Sequence, residues 1–321
     1  MNLKNSLAVV VVLIIVYLGV SNSKNPYNNR KFNFSYSVNF EPTDGKKFEA
    51  WIPYPQSNEV QNISNISIDT DLKYEILSES KHDNKYVYLY ELDGLSTNVD
   101  FELTCDVDRI ENKTVNFSNV DQMNYLSGTS QVVVGSVFDN IISENNLSSN
   151  DMRNIYDYVL NGMHYGKPTD NMDSKNYKYV HGGKNPNTGK EWLPDDIVYG
   201  RKKITKENLV KSQNKNEKYA YGNGNSLYAC DIGVGNCTDY HSYFISLSRT
   251  MNVPARFHMG FPIPSGDEGK VGGYHCWADF YKDGEGWTPV DISEADKVPQ
   301  KADYFYGTLC ENRVEFMVGR D

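Results

Sequence analysis

Between Lys31 and about Phe117 the chain alternates apolar and polar positions in short runs. Phe32, Phe34, Tyr36, Val38 and Phe40 interleave with Asn33, Ser35, Ser37 and Asn39, the period of two expected of a strand with one buried face. Lys85-Tyr-Val-Tyr-Leu-Tyr-Glu-Leu92 repeats the habit, and Val99, Phe101, Leu103, Cys105 and Val107 do so again. Pro42-Thr-Asp-Gly45, Pro53-Tyr-Pro55 and Asp93-Gly94 punctuate these runs as turns. Short alternating strands of this kind predict a small antiparallel sandwich over residues 31–120.

The period then changes. Met152, Ile155, Tyr156, Val159, Leu160 and Met163 recur at helical spacing and mark one apolar face of a helix. Ser149 or Asn150 is its expected cap, with Asp151 in the first turn. A shorter helix is predicted over Val132–Ile142. Residues 166–226 are rich in Gly, Asn, Lys and Asp and show little periodicity. So long an irregular stretch inside a compact domain is often functional. Residues 121–321 are read as one α+β domain following the sandwich.

Composition narrows the function. Hydrophobic residues make up 39% of the 321, enough for packed cores in a chain of two domains' length. The net charge of −10, with no cluster of Lys and Arg among aromatics, argues against a nucleic-acid partner. Lys4 precedes an apolar run from Leu7 to Val20, which is shorter than the ~20 residues of a comfortable membrane span. Residues 1–23 are therefore expected to be a signal peptide or an N-terminal membrane anchor acting through residues 4–20, with 24–30 as a linker. Either reading sends the remainder out of the cytoplasm, to be secreted or held at the membrane.

The candidate chemistry lies near the C-terminus. Gly233 and Gly235 break the chain just before Cys237. Tyr240, Phe244, Leu247 and Met251 then continue at helical spacing to a stop at Asn252 and Pro254. This places Cys237 at a helix N-terminus, where unbonded N–H groups and the helix dipole favour the thiolate. A nucleophile needs a base, and the base needs an orienting partner. The run Tyr274-His-Cys-Trp-Ala-Asp-Phe-Tyr281 reads as a strand carrying His275. A turn over Lys282–Gly286 leads into a second strand, Trp287–Ile292, which would bring Asp291 beside His275. Cys237 as nucleophile, His275 as proton shuttle and Asp291 as the orienting carboxylate then satisfy the geometry of a catalytic triad.

The blocks Gly-Asn-Cys-Thr-Asp-Tyr-His, Tyr-His-Cys-Trp-Ala-Asp-Phe-Tyr and Trp-Thr-Pro-Val-Asp-Ile-Ser resemble, in that order, the Cys, His and Asp blocks of the transglutaminase-like superfamily. The block Trp51-Ile-Pro-Tyr-Pro55 and the segment from Tyr304 to Asp321 are also similar to its bacterial and archaeal members. The resemblance implies a papain-like core with Cys237 on a helix packed against an antiparallel sheet. It implies thiol chemistry on amide bonds of peptides, proteins or cell-wall material, with no cofactor. It does not separate hydrolysis from acyl transfer. The oxyanion donors are the Cys237 backbone N–H and, less directly matched, the side chains of Trp192 or Tyr228.

Competing readings remain. His241 lies one helical turn after Cys237 and is the rival base. Asp279 is the fallback for Asp291, although its place in the alternation suggests a solvated strand residue. Asp239 needs no role beyond favourable placement in the first helical turn. Cys230 and Cys310 are a possible disulfide pair in an exported protein, while Cys105 fits a small buried hydrophobe. The cysteines lack CxxC spacing, so no metal site is expected. A catalytically silent binding module with this fold is the alternative to the enzyme.

Overall fold

In a computed structural model the described residues are 28–118, 120–166, 200–201 and 218–320, with the backbone alone of Val16–Leu18, Lys167–Pro168 and Tyr179–Val180. They fall into two compact units. The first holds the chain up to Glu111 together with Met259–Tyr274 and Cys310–Val318. The second holds Asn112–His258, His275–Leu309 and the residues from Gly319 onward. Two short segments from within the stretch 121–321 thus fold with the β-rich unit.

The N-terminal strands of the first unit form two sheets. β1 (Asn29–Phe40) pairs antiparallel along its whole length with β6 (Val99–Ile110), whose other edge takes β3 (Gln61–Thr70). β2 (Phe48–Tyr54), β5 (Lys85–Glu91) and β4 (Lys73–Ser78) form a three-stranded sheet in that order. The alternation places Phe34, Val38, Phe101, Leu103 and Cys105 from one sheet, and Ile52, Val87 and Leu89 from the other, in a single apolar core. Ile263, Val271, Val314 and Phe316, from the two later segments, complete it. Two features depart from expectation. Pro53 lies within β2 rather than in a turn, which is tolerated because β2 is an edge strand. β3 carries no clean period because the register shifts between Ser64 and Ser67, with Asn65 at φ 50°.

The second unit is built around one buried helix. α1 (Val137–Glu144) begins later than Val132 because Gly135 and Ser136 both adopt positive φ. α2 (Met152–Gly162) starts where the periodicity places it, but Asp151 is the cap, accepting from the Asn154 N–H at 3.1 Å. α3 (Ser226–Ile232) ends on Gly233 at φ 70°, a left-handed stop that glycine adopts freely. α4 (Cys237–Thr250) is buried from Cys237 through Arg249, so neighbours enclose it on all sides. β9 (Ala255–Pro262) follows, with Ala255–His258 in this unit, then the antiparallel pair β10 (His275–Lys282) and β11 (Gly286–Val290), joined with Lys282 opposite Gly286. α5 (Ile292–Lys297) begins directly after β11. Among the described residues no helix is long and apolar enough to cross a membrane, and residues 1–15 and 19–27 lie outside them.

Candidate active site

The sequence Gly233-Val-Gly-Asn-Cys builds the nucleophile's seat. Asn236 caps α4, its side-chain oxygen accepting from the N–H groups of Thr238 (2.9 Å) and Asp239 (3.4 Å). Asp239 Oδ2 returns the bond by accepting from the Asn236 N–H at 3.0 Å, which closes a capping box. A side chain at Gly235 would strike Asp239 within 2.5 Å, so only glycine fits there. Cys237 is thereby the first helical residue, and its N–H has no partner inside the helix.

Asp239 does more than favour the dipole. It is fully buried, and it also accepts from the backbone N–H groups of Gly222 (2.9 Å) and Gly224 (3.0 Å). It therefore pins the turn before α3 onto the start of α4. Burial outweighs these donors and pushes its carboxyl up to about 7.

Three elements converge on the thiol. His275 opens β10, and Asp291 caps α5 immediately beyond β11. His275 Nε2 lies 2.7 Å from Asp291 Oδ2. The other carboxylate oxygen accepts from the Ser293 hydroxyl and the Glu294 N–H, both at 3.1 Å. The imidazole also hydrogen-bonds the Cys237 thiol, for which Nδ1 is the ring nitrogen left. Asp291 sits just past the strand rather than within it. Capping α5 is what fixes its carboxylate.

The electrostatics match the geometry. The thiol is held well below its ordinary range by a hydrogen bond from Cys276, against burial, and then by the hydrogen bond and charge of His275. Burial opposes a charge on His275, but Asp291 and Cys237 together raise it to about 10. Both shifts favour a buried thiolate–imidazolium pair. Cys276 in turn is driven well above the thiol range, chiefly by burial and by its bond to Cys237, and so stays protonated as a donor.

The rival assignments resolve differently. His241 Nδ1 lies 2.7 Å from the Cys237 carbonyl oxygen and Nε2 lies 3.1 Å from the Ile292 nitrogen, so both ring nitrogens are engaged with backbone. Asp279 is not solvated. It is 2% exposed and salt-bridged to Arg256, with His258 Nε2 3.1 Å away. The Tyr228 hydroxyl donates to the Val234 carbonyl at 2.9 Å, which takes its one proton away from any oxyanion. Trp192 lies outside the described residues.

All five cysteines are free. Cys230 and Cys310 are not joined: Cys230 lies against Asp231 and Arg201, whereas Cys310 lies against Arg313. Cys105 is fully buried, and burial pushes its thiol up to about 12, as befits an inert hydrophobe. Sequence reasoning missed Cys276 as a partner of the thiol and Asp239 as a clamp. The Asn236-x-x-Asp239 spacing of a capping box was the available signal for the second.

Residues 197–292, which contain all three converging side chains, match the model of the transglutaminase-like superfamily. Over these residues the chain is transglutaminase-like. A protein of Haemophilus influenzae named only as uncharacterized is 32% identical over 133 residues. That match covers 31% of this chain and 36% of the relative, so the chain spans about a third of that relative's length. A solved structure from Cytophaga hutchinsonii, called a candidate cysteine protease, superposes with a TM-score of 0.54 at 15% identity. It covers 92% of this chain and 84% of its own, a likeness of fold. The transglutaminase-like domain has the expected α+β core, with Cys237 opening a helix beside an antiparallel hairpin and a β-rich region preceding it.

Proposed function

We propose that the transglutaminase-like domain is a thiol enzyme that opens amide bonds through an acyl-thioester on Cys237. The observation that carries this reading is the buried chain Cys237–His275–Asp291, with 2.7 Å between the imidazole and the carboxylate. The Cys237 thiolate attacks the amide carbonyl, and the oxyanion meets the free N–H at the start of α4. His275 passes its proton to the departing amine as the C–N bond breaks, leaving the thioester. An incoming water or amine then loses a proton to His275 while it attacks the thioester, and the thiolate leaves. Asp291 holds the ring orientation throughout and stabilises the imidazolium.

The name of the Cytophaga structure and the thiol chemistry together favour a peptide or protein substrate. The Leu7–Val20 run favours action outside the cytoplasm, with cell-wall peptide among the substrates within reach. Fractionation of cells making the full chain tests the location, and recovery solely from cytosol would remove it. The chemistry is tested by the rate of Cys237 alkylation by iodoacetamide against pH, read by mass spectrometry. A reactive plateau far below the ordinary thiol value of about 8.5 is expected. A simple titration at that value would leave a silent binding module.

A further inference from the structure

His241 sits at the centre of the site with no exposed surface. Its two ring nitrogens face groups of fixed polarity. The Cys237 carbonyl, 2.7 Å from Nδ1, can only accept a hydrogen bond. The Ile292 backbone N–H, 3.1 Å from Nε2, can only donate. One protonation state satisfies both: a neutral ring with its proton on Nδ1 and a bare lone pair on Nε2. The opposite tautomer sets two acceptors and two donors face to face, and the cation sets N–H against N–H at Ile292. Unmatched buried groups of this kind are costly.

We infer that His241 is a positioning residue, a neutral tautomer-locked strut tying the backbone of the nucleophile to the first N–H of the helix that Asp291 caps. The ring spans from Cys237 at the start of α4 to Ile292 at the start of α5, and Asp291 Oδ2 reaches His275 from the residue next to Ile292. The strut therefore fixes nucleophile and carboxylate relative to one another, with His275 bonded to both. Its neutrality matters as much as its reach. Asp291 Oδ1 lies 3.9 Å from Nε2, so a protonated His241 would compete with His275 for the carboxylate. The charged and titratable groups around the ring are Cys237 on its own helix, His275 from β10 and Asp291 from the cap of α5. Burial, set against the attraction of Asp291 and Cys237, holds the ring's protonation down to about 4. The single positive charge stays on His275.

The catalytic meaning of the strut rests on the reading of Cys237 as nucleophile, but the tautomer does not. Long-range ¹⁵N–¹H correlation on the full chain labelled at histidine reads it directly, with His241→Asn assigning the ring. One imidazole should remain neutral and Nδ1-protonated from about pH 5 to 9, the range in which ordinary histidines titrate. A His241 ring that titrates near 6.5, or carries its proton on Nε2, overturns the proposal. Alkylation of folded His241→Asn and His241→Phe supplies the second readout. The order expected is wild type, then Asn, whose amide can still donate to the Cys237 carbonyl, then Phe, slower at low pH by about tenfold or more. A Phe variant with the wild-type pH profile would also end it. A locked tautomer beside an ordinary Cys237 titration would instead spare the strut and defeat the enzyme.

Discussion

The second unit buries two carboxylates beside histidines, and the two sites behave in opposite ways. Asp279, inside β10, faces Arg256 and His258. The Arg256 guanidinium is a permanent cation, sandwiched over Trp287 at 4.0 Å and Phe117 at 4.6 Å. Burial penalises Asp279, but these partners hold its carboxyl below the usual range. That charge is balanced by a cation that keeps its proton. Asp291 faces an imidazole instead. Its balancing cation is His275, whose proton is shared with a thiol. A carboxylate neutralised by arginine is a structural pin, whereas one neutralised by an imidazole in contact with a nucleophile can serve a proton that comes and goes.

Substitutions at the two sites should therefore separate stability from reactivity. The largest effect expected on chemistry is from Cys237→Ala, which removes all thioester formation while thermal unfolding stays near that of the parent. Turnover retained by that variant would defeat the mechanism. Next, His275→Ala should return Cys237 alkylation to an ordinary profile near about 8.5. In the parent the sign runs both ways. Thiolate appears well below that value because its proton is given up early, and amide turnover falls once His275 loses its proton at about 10. Alkylation needs no acid and should continue above that point. Arg256→Met isolates the other site. Stranding Asp279 should cost about 3–5 kcal/mol in urea unfolding, yet the surviving folded fraction should alkylate with the parental pH dependence. A shifted profile in that variant would mean that the two carboxylates are coupled.

The contrast also explains what the sequence disclosed. The Cys, His and Asp blocks were legible because each sits at an element boundary marked by glycine, turn or cap. Cys237 follows Gly235 and Asn236, and Asp291 begins α5. Asp279 was misread as solvated because alternation implies one wet face, whereas residues 275–280 of β10 are buried on both. In the sandwich, β1, β5 and β6 announced themselves by period two, while the bulge in β3 erased the signal. Nothing local marks Met259–Tyr274 or Cys310–Val318 as part of the first unit. Their membership is written in Ile263, Val271, Val314 and Phe316 joining a core whose other members lie far away in the chain.

The smallest effect tests how much of the thiolate's stability comes from the histidine alone. Cys276 follows His275 in the chain, and its thiol bonds Cys237 and lies 3.4 Å from the Thr238 hydroxyl. It offers the thiolate one neutral S–H donor, whereas His275 offers a donor and a charge. Cys276→Ala should raise the alkylation midpoint by about one pH unit, the scale of one hydrogen bond to an ion. The shift should stay short of that in His275→Ala, and Cys276→Ser should recover part of it. A midpoint unchanged in Cys276→Ala would assign the whole depression to the imidazolium. The site would then differ from Asp279 only in the identity of its cation. A midpoint that rises as expected makes the difference wider: Asp279 is held by fixed charge, while the Cys237 thiolate is held by one neutral donor and one imidazolium that can give up its proton.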